Sequence, residues 1–442
     1  MAPLIPVLYD LATWAAQPLL RRKLRRRGGA EPGYLQAVDE RFGRYGAAPA
    51  RPQPTAGASL VWIHAVSLGE TRAAAIVLPQ LRAQWPGMRL LLTHGTATGR
   101  AEGARLLAPG DVQLWQPWDT RAATRRFVQA YRPDIGVLME TEVWPNLVRA
   151  CTDVGMPLVL ANARLSAKSL RGAQRTAGLL PAAYRALTAV YAQTEPDAAR
   201  FRTLGVPTVE VLGNLKFDAQ PAAPLLALGR RWRDAAPSRP VLMLASSREG
   251  EELAFFKQIR AAAPAESAQA VINSIVNWPQ WLVVPRHPQR FDAVADLAAQ
   301  QGLSVSRRSQ WGTGAPQAAD LWLGDSLGEM AAYYALADVA LLGGSFEPLG
   351  GQNLIEAAAC GCPVVMGPHT FNFSQAAEQA LAAGAALRVA DLAQGLQAAQ
   401  ALAGDAPRRQ AMADAGRAFA RQHQGAAART AAALQLLWQG AR

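Results

Sequence analysis

Short apolar runs that end in glycine or polar residues alternate along this chain with alanine-rich segments. Such apolar runs are typical of buried strands, and alanine-rich segments are typical of helices. The alternation predicts βαβ units, and therefore an α/β protein built on parallel sheets. The predicted strands are residues 60–66, 90–93, 135–139, 158–161, 190–193, 209–213, 241–245, 281–284, 339–342 and 363–366.

Length and composition predict two domains. The chain has 442 residues, 50% of them hydrophobic, which is enough for two full cores. The alternation weakens over residues 219–240, where we predict the interdomain linker. An N-terminal domain then covers residues 28–218, and a C-terminal domain covers residues 241–407. Residues 408–442 are predicted to form a long amphipathic helix that packs back across both domains.

Residues 1–27 have the character of a membrane anchor followed by a basic cluster. The first 20 residues are mostly apolar, with Tyr9 and Trp14 placed as interfacial anchors, but Asp10 and three prolines interrupt them. The basic residues follow the apolar part, unlike in a secretory signal, and are Arg21, Arg22, Lys23, Arg25, Arg26 and Arg27. We expect the segment to cross the membrane or lie on it, with the cations against anionic lipid at the cytoplasmic face. A packed or disordered N-terminus is the alternative.

Charge and cysteine content narrow the class of partner. The formal net charge of +12 favours an anionic partner. Nucleic acid is not expected, because basic runs interleaved with aromatic residues and known reader motifs are both missing from the sequence. Cys151, Cys360 and Cys362 are too few for a disulfide framework and favour a reducing compartment. Their spacing favours buried thiols over a metal site.

Glu70 has the position of a catalytic residue. It follows the first predicted strand and begins the next helix, and open α/β sheets bind ligands at the carboxyl ends of strands. An acidic residue in the first turn of a helix also stabilises the positive helix end, so a purely structural role stays open.

Polar residues follow several other predicted strands of the N-terminal half. Thr96 lies in a turn rich in small hydroxyl residues, and Asn162 follows the strand at 158–161. Glu140 and Glu142 come directly after the strand at 135–139, close to a tryptophan. Two carboxylates and an aromatic ring at one strand end suit a sugar.

The C-terminal half contains a predicted site for a phosphate. The strand at 339–342 ends in Gly343 and Gly344, and Asn353 is a good N-cap for a helix that ends at Gly361. A strand, a glycine-rich turn and a helix start present backbone N–H groups to an anion. Glu356, one turn into that helix, could accept hydrogen bonds from a ribose. An ordinary βαβ unit whose glycines permit close packing is the alternative.

Two further segments of this half carry candidate ligand-binding residues. Arg286 and His287 follow the strand at 281–284, and an arginine there can clamp a phosphate. Gly328 and Glu329 precede the next predicted helix.

Ten motifs in chain order resemble those of the 3-deoxy-D-manno-octulosonic acid (Kdo) transferases of lipopolysaccharide synthesis. They are HAVSLGE, THGTATG, METEVWPN, NARLS, GNLKFD, SSREGEE, PRHPQRF, GDSLGEM, GGSFEPLGGQN and MGPHTFNF. The resemblance covers nearly the whole chain. It implies a GT-B glycosyltransferase, in which two Rossmann-like domains face each other across a cleft, with the acceptor domain first and the CMP-Kdo domain second.

The resemblance also implies a reaction and its place. Kdo would pass from CMP-Kdo to a tetra-acylated lipid A precursor (lipid IVA), with inversion, on the cytoplasmic face of the inner membrane. No cofactor is implied, and the sequence has no DxD motif, so we expect no metal requirement. How many Kdo residues are added stays open.

Site residues follow from the motifs position by position. Glu70 matches the general base. Residues expected to orient the acceptor or a sugar are Ser67, Gly69, Thr96, Glu140, Glu142, Asn162 and Lys216. Residues expected to hold CMP are Ser246, Arg286, His287, Gly328, Glu329, Gly344, Ser345, Asn353 and Glu356. Arg248 and Gln352 depart from the pattern, because many relatives have histidine at the first position and some have it at the second.

Two other functions are compatible with parts of the pattern. A nucleotide-sugar epimerase or another GT-B transferase, such as a heptosyltransferase, would share the fold. A lipid-binding protein without catalytic activity would use the basic cluster and a cleft. The expected N-terminal anchor and the motifs HAVSLGE and METEVWPN argue against the first alternative. Retained activity in a Glu70→Gln variant would argue against a catalytic Glu70.

Overall fold

The computed structural model describes residues 4–46, 59–236, 238–262, 278–312 and 314–440, which form two compact units. The first unit comprises Met1–Asp218 and Gln424–Arg442. The second unit comprises Ala219–His423. The second unit is therefore inserted in the chain of the first.

The first unit is built on a parallel seven-stranded sheet with the strand order β3-β2-β1-β4-β5-β6-β7. The strands are β1 (Leu60–His64), β2 (Arg89–His94), β3 (Val112–Trp115), β4 (Ile135–Met139), β5 (Leu158–Ala163), β6 (Ala189–Ala192) and β7 (Val209–Val211). The helices are α1 (Leu4–Ala15), α2 (Gln17–Ala30), α3 (Leu68–Gln84), α4 (Ala97–Gly103), α5 (Arg121–Tyr131), α6 (Pro145–Thr152), α7 (Ala167–Gln174), α8 (Leu179–Arg185) and α9 (Glu195–Thr203).

The second unit is also built on a parallel seven-stranded sheet, with the order β10-β11-β9-β8-β12-β13-β14. Its strands are β8 (Val241–Ser247), β9 (Gln280–Pro285), β10 (Val305–Arg307), β11 (Leu321–Leu323), β12 (Val339–Leu342), β13 (Val364–Met366) and β14 (Ala386–Arg388). Its helices are α10 (Ala223–Ala235), α11 (Glu251–Ala261), α12 (Phe291–Gln300), α13 (Met330–Leu336), α14 (Leu354–Cys360), α15 (Ser374–Ala382), α16 (Leu392–Gly404) and α17 (Ala406–Gln422). A last helix, α18 (Ala426–Gly440), returns to the first unit.

Both faces of each sheet are covered, which explains the continuous apolar runs of the strands. On β1, Trp62 belongs to the core on one face and packs edge to face on Phe127 at 5.0 Å. Val61 and Ile63 belong to the core on the opposite face. In the second unit, Leu242 and Leu244 of β8 share a core with residues of α11 and α16. Each strand therefore ends where its run of buried apolar residues ends.

Residues 219–240, predicted to be a linker, instead contain helix α10. Pro224 lies in its first turn, where proline is compatible with a helix because the first N–H groups have no intrahelical partner. Trp232 is buried and packs against Trp311 at 5.3 Å and Tyr333 at 6.0 Å. These contacts make the segment part of the second unit.

The tail is two helices and not the single helix predicted for residues 408–442. Gly425, with a φ of +94°, separates α17 from α18, because this left-handed conformation interrupts a helix. Helix α17 belongs to the second unit. Helix α18 packs in the first unit, where Trp438 meets Trp85 edge to face at 4.8 Å.

The N-terminal segment forms α1 and α2. In the part of the chain that the structure covers, none of the helices combines the length and apolar character needed to cross a membrane. The side chains of Val7, Leu8, Leu11 and Trp14 are each more than half exposed, at 60%, 54%, 57% and 66%. Helix α1 therefore presents an apolar face to its surroundings, the reverse of a helix that packs on a water-soluble core.

Candidate active site

The order of the strands marks the expected ligand edge in each unit. In the first sheet, β2 and β3 lie on one side of β1, while β4 and the strands after it lie on the other. In the second sheet, β8 has the same position between β9 and β12. Ligands of open parallel sheets bind where the order reverses, outside the carboxyl ends of these central strands. The candidate residues that follow β1, β4, β8 and β12 lie at these points.

Glu70 and Ser67 form a reciprocal capping box at the start of α3. The Ser67 hydroxyl accepts from the Glu70 backbone N–H at 3.4 Å. The Glu70 carboxylate accepts from the backbone N–H of Val66 at 2.8 Å and from the Ser67 hydroxyl at 3.0 Å. The first bond satisfies the Glu70 N–H, which has no partner within the helix, and the other two fix the Glu70 side chain. The structural role considered for Glu70 is therefore present.

The electrostatic surroundings of Glu70 also suit a general base. Burial raises its pKa to about 7, and the negative charges of Glu142 and Glu140 add to this effect, while the hydrogen bond from Val66 opposes it. The positive end of α3 would lower this pKa, but burial has the larger effect. A carboxylate with a pKa near 7 accepts a proton more readily than an ordinary one.

Glu140 is held in a strained backbone conformation between two cations. Its φ is +55°, which costs a non-glycine residue about 1–2 kcal/mol. Its carboxylate lies 3.3 Å from the Nε of Arg164 and 3.4 Å from the Nζ of Lys216. Backbone strain of this kind is concentrated at functional sites. The structure brings together two of the predicted residues, Glu140 and Lys216.

Asn162 joins this group from β5. Its φ is also positive, at +50°, and its side-chain oxygen accepts from the backbone N–H of Leu215 at 3.1 Å. This bond fixes the segment that carries Lys216. The Asn162 side chain is buried, so its effect on a ligand would be exerted through Lys216.

Glu142 has different neighbours from Glu140. Its carboxylate accepts from the indole N–H of Trp144 at 2.9 Å, and burial raises its pKa. Trp144 is 38% exposed, so its ring has a free surface. Two cations balance the negative charge of Glu140. Glu142 is instead hydrogen-bonded to Trp144, and its negative charge raises the pKa of Glu70.

Thr96 and Gly69 complete the predicted residues of the first unit. The Thr96 hydroxyl donates to the carbonyl of Val66 at 3.0 Å and accepts from the backbone N–H of Gly99 at 3.1 Å. It therefore ties the turn after β2 to the turn after β1. Gly69 lies beside Ser67 at the start of α3, with no close neighbour that would exclude a side chain.

The glycine turn of the second unit is fixed by a buried carboxylate. The Glu251 oxygens lie 2.8 and 2.7 Å from the backbone nitrogen of Gly344, and one accepts from the backbone N–H of Arg248 at 3.0 Å. Ser246 has a φ of +55° at the end of β8. The Gly344 N–H, predicted to face an anion, is therefore engaged inside the protein.

Ser345 also has its hydroxyl engaged within the protein. The side chain is fully buried, donates to the carbonyl of Leu342 at 2.5 Å and accepts from the backbone N–H of Gly367 at 2.8 Å. The residue joins the ends of β12 and β13. These bonds give Ser345, a predicted CMP ligand, a role in shaping the turn.

A cationic cluster lies beside this turn. The Nε of Arg286 donates to the amide oxygen of Gln352 at 3.2 Å. Burial lowers the pKa of His287, and the nearby charges of Arg248 and Arg286 lower it further. The two residues that depart from the family pattern, Arg248 and Gln352, are thus neighbours of the predicted Arg286 and His287. An uncharged His287 beside two arginines leaves the positive charge of the cluster on the guanidinium groups.

Gly328 and Glu329 lie at the start of α13. Gly328 has a φ of +83°. The Glu329 carboxylate is bidentate with Arg308, at 3.0 and 2.9 Å, and accepts from Ser326. Its charge is therefore balanced inside the unit.

Asn353 caps α14, and its side chain accepts from the backbone N–H of Ile355 at 3.2 Å, as the sequence predicts. Glu356 lies in the first turn of that helix.

Sequence reasoning missed several residues that shape these sites. Arg164, Glu251 and Arg308 each bind one of the predicted residues. Arg164 and Glu251 lie inside the quoted motifs NARLS and SSREGEE, so their position after a strand was the available signal. Arg308 lies in a segment without a recognisable pattern. Among the described residues, no group of three His, Cys, Asp or Glu side chains is arranged to hold a metal ion.

Comparison with known proteins gives a consistent result. The family described as "3-Deoxy-D-manno-octulosonic-acid transferase (kdotransferase)" matches residues 36–219. A 3-deoxy-D-manno-octulosonic acid transferase of Bordetella pertussis is 47% identical over 97% of this chain and 98% of its own length. The Haemophilus influenzae enzyme of the same name is 31% identical over 95% of both chains. The UDP-GlcNAc 2-epimerase of Neisseria meningitidis shares the fold, with a TM-score of 0.54 and 12% identity over 87% of this chain and 100% of that one.

The two parallel sheets have a GT-B-like fold, and the family match and the named relatives place the chain among glycosyltransferases. The identity over almost the full length is decisive for the family. The chain belongs to the 3-deoxy-D-manno-octulosonic acid transferases.

Proposed function

We propose that this enzyme transfers Kdo from CMP-Kdo to the tetra-acylated lipid A precursor, lipid IVA, with inversion at the anomeric carbon. The observation that carries the proposal is the position of Glu70, a buried carboxylate fixed by a capping box and raised in pKa to about 7. The first unit would bind the acceptor and the second unit would bind CMP-Kdo.

The chemical step would be a single displacement. Glu70 takes the proton from an acceptor hydroxyl while that oxygen forms a bond to the anomeric carbon of Kdo. The bond from that carbon to the phosphate oxygen breaks, and CMP leaves with the electron pair. Proton transfer by a positioned base with a pKa near the working pH contributes about 10²–10⁴-fold to a rate.

The cations beside Glu140 would orient the sugars. Arg164 and Lys216 carry two positive charges against the one negative charge of Glu140. This excess favours an anionic group, and Kdo is a carboxylate sugar. Glu142 and the exposed ring of Trp144 would contact the acceptor sugar.

The leaving phosphate would be stabilised by the second unit. Arg286 is the proposed main ligand, with Arg248 and His287 beside it. Guanidinium groups fixed before the reaction stabilise charge that develops in the transition state without reorganising. We propose that this electrostatic stabilisation makes a metal ion and other cofactors unnecessary. Ser246, Gly328, Asn353 and Glu356 would complete the nucleotide site.

We also propose that the enzyme works on the cytoplasmic face of the inner membrane. The apolar face of α1 would enter the lipid interface, as an amphipathic helix does. Of the six basic residues of α2, Arg22, Lys23, Arg25, Arg26 and Arg27 are exposed. Arg21 instead lies 3.7 Å over the ring of Phe42. The exposed cations would face anionic headgroups, each contributing about 1 kcal/mol.

The test is incubation of the purified chain with lipid IVA and CMP-Kdo formed in situ, followed by mass spectrometry of the lipid. We expect a mass gain of one or more Kdo units, which also counts the additions, and the same gain with EDTA present. Glu70→Gln should abolish the gain while keeping the fold, because glutamine also serves in a capping box.

Thr194→Ala is the matched control, since it weakens the same kind of N-cap at the start of α9 and leaves Glu70 and its partners unchanged. If Glu70→Gln stays active, Glu70 is structural and not the base. If lipid IVA is bound but not modified, either the donor is a different one or the chain is a lipid-binding protein.

A further inference from the structure

Helix α1 is attached to the first unit by its polar side. Its exposed side carries Val7, Leu8, Leu11 and Trp14, while Tyr9 and Asp10 are half-buried on the side that faces the protein. Asp10 lies 3.9 Å from Arg121 at the start of α5. The apolar side is thus left for another environment, and the polar side makes specific contacts.

The main contact is a hydrogen bond between Tyr9 and Asp119. The Tyr9 hydroxyl donates to Asp119 Oδ2 at 2.7 Å, across 110 positions of sequence. Asp119 is only 8% exposed. Hydrogen bonds to a charged acceptor are shorter and stronger than those between neutral groups. A buried carboxylate needs them more than an exposed one does, because they replace its lost hydration.

Asp119 in turn caps helix α6. Its two carboxylate oxygens accept from the backbone N–H groups of Asn146 at 3.1 Å and Leu147 at 2.8 Å, and its carbonyl accepts from the Asn146 side chain at 2.9 Å. The residue at the N-cap position of α6, Trp144, provides no cap of its own. Asp119 therefore supplies from another segment the acceptors that the start of α6 requires.

Helix α6 begins where the acceptor loop, residues 140–144, ends. The indole of Trp144 holds Glu142 at 2.9 Å, and Glu142 acts electrostatically on Glu70. A continuous series of contacts thus leads from α1 through Tyr9, Asp119 and the start of α6 to the acceptor loop. Each contact is a direct hydrogen bond or a chain neighbour.

We propose that Tyr9 is a positioning residue that couples helix α1, through Asp119, to the acceptor loop. Contact of the apolar face of α1 with lipid then tightens the loop that receives the acceptor. The parts of this inference that concern the acceptor and the contact of α1 with lipid rest on the proposed function. The coupling itself, from α1 to α6, does not.

The first test measures hydrogen exchange in the full chain, with and without vesicles that contain anionic phospholipid. In the wild-type protein, we expect vesicles to slow the exchange of the amides of residues 146–147. In Tyr9→Phe, which loses only the hydroxyl, exchange should be about three- to tenfold faster and should no longer respond to vesicles. Tyr45→Phe is the matched control, because the buried Tyr45 hydroxyl has no hydrogen-bond partner among the described residues.

The second test measures kinetics. Tyr9→Phe should raise KM for lipid IVA in vesicles by about three- to tenfold and leave KM for CMP-Kdo unchanged. Co-sedimentation with vesicles should be unchanged, because the hydroxyl does not belong to the exposed face of α1.

Three results would overturn the coupling. The first is equal exchange at residues 146–147 in Tyr9→Phe and wild type. The second is an effect of Tyr45→Phe equal to that of Tyr9→Phe. The third is reduced vesicle binding of Tyr9→Phe, which would make Tyr9 an attachment residue only. A wild-type enzyme that transfers no Kdo but shows vesicle-dependent exchange, lost in Tyr9→Phe, would overturn the proposed function and keep the coupling.

Discussion

The two carboxylate oxygens of Glu251 lie 2.8 and 2.7 Å from the backbone nitrogen of Gly344. The two residues are 93 positions apart in sequence, and both are at the carboxyl edge of the second sheet. Burial raises the pKa of Glu251, and the hydrogen bond from Gly344 opposes this. The glycine turn next to the candidate nucleotide site is therefore shaped by an internal acceptor.

Glu251→Ala should weaken donor binding as well as the fold. It leaves the Gly344 N–H without an acceptor, which costs about 1–3 kcal/mol for a buried group. We expect a lower free energy of unfolding and a higher KM for CMP-Kdo, measured by urea denaturation and steady-state kinetics. Glu378→Ala is the control, because the Glu378 side chain is 64% exposed on α15. Equal effects of the two variants would contradict this role of Glu251.

The raised pKa of Glu70 predicts the pH dependence of the reaction. A base is active when it is deprotonated, so kcat/KM should rise with pH and level off above a pKa of about 7. Glu142→Gln removes a negative charge that raises this pKa, and the rising limb should move to lower pH. Glu195→Gln, on the exposed start of α9, should leave the limb in place. A limb that moves to higher pH in Glu142→Gln would refute the electrostatic argument.

The strain at Glu140 can be separated from its ion pairs by two variants. Both Glu140→Gly and Glu140→Ala remove the contacts with Arg164 and Lys216, so both should lose activity. Glycine adopts a φ of +55° without strain, whereas alanine does not. The glycine variant should therefore be more stable than the alanine variant by about 1 kcal/mol in urea denaturation. An alanine variant of equal or greater stability would show that the backbone relaxes.

Two buried histidines predict a loss of stability in acid. Burial lowers the pKa of His64 to about 3 and that of His94 to about 4, while an unfolded chain has histidines near 6.5. The unfolded state thus binds more protons below that pH. The stabilisation is fully present above about pH 6.5 and is lost as the pH falls towards 4, by up to about 1.4 kcal/mol per pH unit for each histidine.

The measurement for these histidines is the free energy of opening of β1 and β2, from hydrogen exchange at pH 7, 6 and 5. His94→Gln should reduce the slope with pH, because glutamine does not titrate. An unchanged slope would assign the acid sensitivity to other groups.

The long apolar runs made most of the fold predictable. Strands β1, β4, β8 and β12 lie where the sequence places them, because each is a run of four or more apolar residues bounded by polar ones. Strands β3, β10, β11 and β14 were missed; the last three have only three residues each, although β7 and β13, equally short, were predicted. Helix α10 was not predicted because the strand–helix alternation weakens there, although its proline lies in the first turn, where it is compatible with a helix.

The sequence allowed prediction of those site residues whose position depends on the end of one strand. Glu70 caps its helix as the local sequence requires, and Asn353 does the same. The cations of Glu140 were not predictable, because Arg164 and Lys216 approach it from other strands. The partner of Glu329 is Arg308, 21 positions away, which no local pattern reveals. Contacts between distant segments depend on strand order, which the sequence did not specify.

Helix α18 has a consequence for the order of folding during synthesis. Ala427, Ala431 and Leu434 belong to the same buried core as Val61 and Ile63 of β1, and the Asp218 carboxylate accepts from the backbone N–H of Gly425 and from that of Ala427 at 2.6 Å. The ribosome makes this helix only after the entire second unit. The unit that starts first thus waits with one face of its sheet partly uncovered, while the unit inserted within it already has its complete sequence.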